Sequence, residues 1–433
     1  MPRTVRNWGR SWSSTPKEIV YPRSEEEVAA LLRDANTSGR QVRIIGSGHS
    51  WTHLVPTGDI LVSLDHMQGL IHFDKEKMIA EVWAGTKLLR LGNILHENGA
   101  AMANLGDIDV QSIAGALSTG THGTGRNFGT LATQLAGLTL VTGSGEVLQC
   151  SPEENPEIFK AAQISLGALG IITRMKLNVV PMFKLEYVSK GGKLRDAVGN
   201  YEYYITANRN YEFYWFPFTD MVQFKFVNET DAPIKAGGFW REVDDVLIEN
   251  LGYAVLSHVS KNIKSFTKYF SKFSAKYVPK GRWVNHSHKI FATKRWVRFY
   301  EMEYNVPVEN FKDCFYEVRD CIHSNNFRVH MPLEVRYVKG DDIMISPAYG
   351  RDCVYMAVHQ FRGMQYKEYF DAVEKVFRKF GGRPHFGKMN TMGYEEFRQA
   401  HPNWDAFITL RNRLDPKGIM LNDYLRKIFN YRN

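Results

Sequence analysis

The chain has 433 residues, 44% of them hydrophobic and 23% charged, with a formal net charge of +9. This is too apolar for a disordered chain and long enough to bury substantial cores, so two globular domains are expected. No uninterrupted apolar run approaches the roughly 20 residues of a membrane-spanning helix, Met1 to Trp8 lacks a signal-peptide core, and Cys150, Cys314, Cys321 and Cys353 show neither metal-ligand nor disulfide spacing; a cytoplasmic address and reduced thiols follow as expectations.

Glu25 to Ser38 carries Val28, Leu31, Leu32 and Ala35 at helical spacing, and the β-branched stretch Gln41 to Ile44 follows as a strand. Directly after it, Ile45-Gly46-Ser47-Gly48-His49-Ser50-Trp51 reads as a strand-to-loop turn whose glycines bring backbone N–H groups near an anion. On its own such a run is an ordinary surface turn. Strands are expected at Ile60–Leu64, Ile79–Val82 and Leu138–Thr142, the last followed by the turn Gly143-Ser144-Gly145. Between them, Ser112 to Gly125 is so dense in glycine and hydroxyl residues that neither a core helix nor a strand is expected, and a ligand approaching the backbone is. Together the two runs favour a ligand. Helical and β-branched segments alternate up to Pro181, as in an α+β domain.

After Pro181 the chain is rich in aromatics, with strand-like runs at Tyr211–Phe216 and Val222–Phe226. Lys261, Lys264, Lys268, Lys272 and Lys276 recur on one face of a predicted helix, with Ile263, Phe266, Phe270, Phe273 and Tyr277 on another and Pro279 as its stop. Much of the positive surplus sits there, and no zinc-finger or RRM pattern accompanies it, so nucleic acid is not an expected partner. The plain reading is a solvated helix packed on the second domain. The sharper one is a helix of residues 261–277 resting on an anionic membrane surface. Glu334 and Arg336 lie two apart in a strand-like run, Pro332 to Val338, which puts both side chains on one face; an exposed ion pair has the same spacing. No internal repeat or low-complexity tract is present.

The two glycine runs, with Ser165-Leu166-Gly167-Ala168-Leu169-Gly170-Ile171-Ile172, resemble the flavin-binding domain of the vanillyl-alcohol-oxidase superfamily. Leu333-Glu334-Val335-Arg336, Gly340-Asp341-Asp342, Ser346 to Asp352, Gly382 to Lys388 and Leu414 to Asn422 follow in the family's order. They narrow the resemblance to the sugar-1,4-lactone oxidases of the L-gulono-1,4-lactone type, with alditol oxidases as cousins.

The resemblance implies an α+β fold of two domains: an FAD-binding domain over residues 1–181, a cap domain with a large antiparallel sheet over 182–380, and a return of 381–433 to the first domain. It implies FAD attached covalently through His49. Gly46, Ser47, Gly48, Ser50, Ser112, Gly115, Thr119, Gly120, Thr121, His122 and Ile172 match positions around the flavin and its pyrophosphate, with Gly106, Asp107 and His385 beside them. Gly106 stands where dehydrogenase members carry an alanine that hinders oxygen, which implies an oxidase. Glu334, Arg336 and Lys388 fall in the substrate cavity: Glu334 to accept from sugar hydroxyls, Arg336 to stabilise developing charge, Lys388 as a second electrostatic anchor. No metal is implied.

The implied reaction is oxidation of an aldonolactone at C2 by hydride transfer to flavin N5, with dioxygen reduced to hydrogen peroxide and, for L-gulono or L-galactono lactone, an ascorbate product. An alditol oxidase and a non-catalytic membrane-surface flavoprotein are the alternatives. Two departures favour the lactone: Ala357 stands where alditol oxidases have a substrate-contacting histidine, with His359 two positions on, and Asp107 replaces their serine.

Overall fold

The computed structural model describes residues 3–235, 266–276, 280–292 and 297–432. The helix Glu25–Ser38 forms where the spacing predicts it. Ser24 caps it by accepting from the Glu27 N–H, three glutamates fill its first turn, and Gly39 ends it at φ +68°. Val28, Ala29, Leu32 and Ala35 are buried. The strands Glu18–Val20, Ile60–Ser63 and Val42–Ile45 form a small parallel sheet in that order. A five-stranded antiparallel sheet follows: Val147–Cys150, Leu135–Thr142, Gly170–Asn178, Ile79–Trp83 and Leu70–Asp74.

The Ser112–Gly125 run departs from expectation by containing a six-residue helix, Ile113–Ser118, with Ile113, Ala116 and Leu117 buried. Its small residues serve close packing. A Cβ on Gly115 would lie 2.9 Å from the Ser112 hydroxyl and 3.8 Å from Gly46 Cα, so the two glycine-rich runs touch backbone to backbone.

The third sheet has eight strands in the order Gly281–His286, Lys184–Lys193, Met221–Glu229, Asn210–Trp215, Leu333–Val338, Cys353–Phe361, Phe299–Pro307 and Arg383–Pro384. Its register decides the chemistry. One cross-strand row reads Tyr214, Glu334, Ala357, Glu303, and the next reads Glu212, Arg336, Tyr355, Asn305. Paired residues share a face and side chains alternate along a strand, so all of these point one way. Phe213, Val335, Met356 and Tyr304 form the row between, on the opposite face. That apolar side carries the helices Phe311–Ser324 and Lys367–Lys379.

The helix Phe266–Lys276 is formed, with Lys268, Lys272 and Lys276 exposed. Its inward face differs from the expected one: Thr267, Phe270, Ser271 and Ala275 are buried, whereas Phe273 is exposed. The Ser271 hydroxyl donates to the Pro217 carbonyl, which turns the small residues inward. Lys261, Ile263, Lys264, Tyr277 and Pro279 lie outside the described residues. Among the described residues no helix is long and apolar enough to cross a membrane, and the four cysteines are free thiols.

Residues 415–422 return to the small parallel sheet. The Val42 N–H donates to Ile419 O at 2.8 Å, and the Asn422 amide donates to His53 O at 2.8 Å. Arg43, fully buried, clamps this return by donating to the carbonyls of Leu54, Leu166, Gly167 and Met420. Burial brings its guanidinium down to about 9, a shift that Asp415 opposes. Replacing Arg43 by Met keeps the volume but leaves those carbonyls without donors, and should destabilise the protein by on the order of 3 kcal/mol. Chemical denaturation followed by tryptophan fluorescence reads this; an unchanged midpoint would show that the clamp contributes nothing.

Candidate functional site

Two cavities meet at His49. The first, a cleft of about 940 Å³, is lined by Gly46, Ser47, Gly48, His49, Ser50, Ser112, Gly115, Thr119 and Ile172, among others. The second, of about 480 Å³, is lined by His49, Ser50, Gly106, Asp107, Thr119, Thr121, His122, Glu303, Arg336, His385 and Lys388, among others. His49, Ser50, Gln111 and Thr119 border both. Gly120 borders neither; it turns the chain at φ +77° between them.

The first cleft fits a dinucleotide. It is walled by glycines, short hydroxyls and apolar side chains such as Ile45, Leu54 and Ile172, with Asp65 and Lys87 at its border, and is narrow where a Cβ on Gly46 would collide with the Ser112 hydroxyl. Backbone N–H groups in such turns hold phosphate without a dedicated arginine or lysine. At its end the His49 ring stacks on Trp8, with centroids 5.7 Å apart and planes at 23°.

The second cavity is electrostatic in character. Arg336 Nε lies 2.9 Å from Glu212, its Nη2 lies 3.2 Å from Asp107, and Nη2 also pairs with Glu334. Burial alone would lower the guanidinium's affinity for its proton, but Glu334, Asp107 and Glu212 overrule it and raise it well above the ordinary value. Glu334 does not line the cavity. Its carboxylate sits behind Arg336, accepting from the Tyr214 hydroxyl, so the expected direct contact with sugar hydroxyls is not what this arrangement offers. Glu212 is held in turn by Lys225 at 3.0 Å.

Lys388 arrives on a loop laid along the strand Phe299–Pro307. The His385 N–H donates to Glu303 O at 3.0 Å and the Met389 N–H to Glu301 O at 2.9 Å. The same loop is stitched to the His49 run, because the Trp51 N–H donates to Gly387 O at 2.7 Å and the Thr52 hydroxyl to Phe386 O at 2.7 Å. The Lys388 ammonium pairs with Glu301, lies 4.0 Å from Glu303, and sits 4.7 Å over the Trp51 ring. Burial would raise the Glu301 carboxyl; Lys388 and His359 outweigh it and bring it down to about 2. In the same way burial is overruled at Glu303 by His122 and then Lys388, which hold it far below the usual carboxylate range.

His122 spans this group. Its Nδ1 donates to Gly123 O at 2.8 Å, its Nε2 lies 3.2 Å from Glu303, and its ring stacks on Tyr355 at 3.8 Å. His385 accepts from the Gly387 N–H at its Nδ1 and is brought to about 3, chiefly by burial, so it positions its loop. Ala357 stands between Glu334 and Glu303 in their row, and His359 turns away to Pro332 O at 2.9 Å and Glu301 at 3.6 Å.

Glu301, Glu303, Glu212, Lys225 and Tyr214 are functional candidates that the sequence reading missed. For Glu301 and Glu303 the signal was present in Phe299-Tyr300-Glu301-Met302-Glu303, where two acids repeat at strand spacing as Glu334 and Arg336 do. Nothing in a single strand tells whether such a face meets water or another domain.

Comparison with known proteins shows the family and the fold. The family described as D-arabinono-1,4-lactone oxidase matches residues 175–428, and that described as FAD binding domain matches residues 16–151. An L-gulono-1,4-lactone dehydrogenase from Mycobacterium tuberculosis is 35% identical over 98% of both chains. An L-gulonolactone oxidase from Bos taurus is 31% identical, again over 98% of each. The structure of cholesterol oxidase from B. sterolicum superposes with a TM-score of 0.82 at 17% identity, covering 99% of this chain and 97% of that one, which shows a shared vanillyl-alcohol-oxidase-type fold. By these matches over most of its length the chain belongs to the aldonolactone oxidase and dehydrogenase family of FAD-dependent oxidoreductases.

Proposed function

We propose that the chain oxidises a sugar 1,4-lactone of the L-gulono or L-galactono type at C2, with FAD attached through His49 and dioxygen as the electron acceptor. The observation that carries this reading is the meeting of the two cavities at His49, which brings the cofactor cleft onto Arg336, Lys388 and Glu303. FAD, when bound, supplies the hydride acceptor. Arg336 offers planar N–H donors to a substrate oxygen, and its carboxylate partners fix the guanidinium before substrate arrives. Lys388, ion-paired to Glu301, is a second anchor. Asp107 is committed to Arg336, whereas Glu303 borders the cavity beside His122 and Lys388, so Glu303 receives the C2 hydroxyl proton. So weak a base suffices because the hydroxyl becomes strongly acidic as its carbon takes on carbonyl character. The 2-keto lactone formed from L-gulono or L-galactono lactone tautomerises to ascorbate, and hydrogen peroxide is the other product.

The alditol reading is less well supported, since Ala357 offers no imidazole and His359 is turned toward Pro332 and Glu301. Steady-state peroxide production on L-gulono-1,4-lactone beside xylitol and sorbitol decides it. The lactone should be favoured, and Arg336→Ala should lower kcat/KM by about 100-fold or more at equal FAD content. Preference for the alditols, or full turnover in that variant, would sink the reading.

The acceptor rests on Gly106. A Cβ there would stand 3.1 Å from His122 O and 3.5 Å from Thr121 Cγ2, close enough to fill the space but not to break the fold. Gly106→Ala should slow reoxidation by oxygen about tenfold, ~1.4 kcal/mol of barrier, while sparing an artificial dye acceptor. Equal reoxidation rates in stopped flow would remove the gate.

Covalent attachment is checked on denatured protein. A fluorescent flavin band on an acid-treated denaturing gel is expected for the wild type and not for His49→Ala, and a wild-type band without fluorescence would refute it.

A further inference from the structure

Outside the site just described, three imidazoles gather where the first domain meets the eight-stranded sheet. His96 lies in the last turn of the helix Leu88–Glu97, His286 ends the edge strand Gly281–His286, and His288 lies in the short helix Ser287–Phe291 that follows. Their ring centroids are 4.1 Å (His96 to His286), 5.3 Å (His96 to His288) and 6.4 Å (His286 to His288) apart. All three are half-buried. His288 Nε2 is a buried nitrogen with no hydrogen-bond partner among the described residues.

The local sequence is shaped around this cluster. Gly92 sits in mid-helix, where glycine costs roughly 1 kcal/mol relative to alanine. A Cβ there would lie 2.9 Å from His288 Cβ and 3.2 Å from its Cγ, so the glycine is what lets the His288 ring lie on the helix. His96 is at the negative end of that helix dipole, which favours a cation nearby.

We propose that His96, His286 and His288 bind one divalent transition-metal cation of the zinc class, bridging the FAD-binding region and the cap sheet. Imidazole suits zinc, copper and nickel, and three imidazoles with one open position make a common site for Zn²⁺. Zn–N bonds of about 2.0–2.1 Å at tetrahedral angles put ring centroids roughly 5 Å apart. The observed separations bracket that value. Closing the site asks the near pair to part and the far pair to approach by about an ångström each, which rotation about side-chain torsions supplies. Lys184 and Lys289 flank the cluster and temper its affinity for a cation.

The test does not depend on the lactone reading, because it is a binding measurement. Flavin-loaded full-length protein, with any affinity tag removed and stripped of metal by chelator, is titrated with ZnCl₂ by calorimetry and with Cu²⁺ under electron paramagnetic resonance. One Zn²⁺ per chain and a copper spectrum with nitrogen hyperfine structure are expected. His96→Gln, at the helix end, and His288→Gln should each weaken zinc by about 10-fold or more, with an unchanged flavin spectrum as the control for folding. Absence of 1:1 binding in the wild type would overturn the proposal. So would zinc that is retained in the His96→Gln/His288→Gln double variant but lost in His122→Gln, because among the described residues it is His122, Glu303 and His385 that already bring one ligand atom each within 4.8 Å of one another, whereas the three imidazoles of the proposed site must turn to converge.

Discussion

The arrangement rests on one guanidinium facing three carboxylates. Arg336 is buried with Glu334, Glu212 and Asp107, which come from two neighbouring strands of the cap sheet and from a loop of the first domain. Removing any of these charges from water costs several kcal/mol unless a partner compensates, so each group is tolerable only in the place the others define. Register is therefore specified twice on these strands. A slip of one residue would move the acids and Arg336 onto the face under the helices Phe311–Ser324 and Lys367–Lys379 and turn Phe213, Val335 and Met356 toward the cavity.

A sheet with both faces buried ordinarily shows apolar residues on both. Here one face is apolar and the other is a lattice of charge, and that asymmetry dictates what covers it. The cover has to be polar yet close-fitting, which His49, Ser50, Gly106, Asp107 and the Thr119–His122 stretch supply across the cavity from Glu303 and Arg336. The C-terminal return completes it. Arg43 fixes Met420 and the Leu166–Gly167 turn to the strand that leads into His49, while the loop carrying Lys388 is bonded to Trp51 and Thr52 just beyond it. The two cavities that meet at His49 are thus held by the same short stretch of chain.

Much of this was legible in the residues. The His49 run, the Ser112–Gly125 run and the loop of Lys388 carry distinctive composition, and the α+β fold with a large antiparallel cap sheet followed from the family they indicate. The helix Glu25–Ser38 and the strands near residues 60, 79 and 140 came from periodicity alone, because one buried face imposes its repeat. What could not be read was any property created by two distant segments meeting. Glu301 and Glu303 alternate with apolar neighbours as on any half-exposed strand, and only the approach of His122 and Lys388 makes them internal. Phe273 was assigned inward by hydrophobicity, yet the hydrogen bond from Ser271 to Pro217 selects the adjacent face. Ile113–Ser118 was hidden because small residues look like a loop until another backbone packs on them.

The balance of charge bears on what the cavity admits. Arg336 and Lys388 face it, but each is already matched: Arg336 by Glu334, Glu212 and Asp107, and Lys388 by Glu301 with Glu303 nearby. Unmatched cations would attract an anion. Matched ones leave donors in fixed directions without a net positive field, so an open aldonate would bring its carboxylate against Asp107 and Glu303 and lose more in repulsion and desolvation than it gains from the guanidinium. A neutral lactone presents the same hydroxyls and a carbonyl oxygen without that charge. Asp107, one of the acids that fix Arg336, and Glu303, beside Lys388, would therefore also oppose the hydrolysed form of the proposed substrate, which makes discrimination a consequence of how the site is held together and not of a separate element.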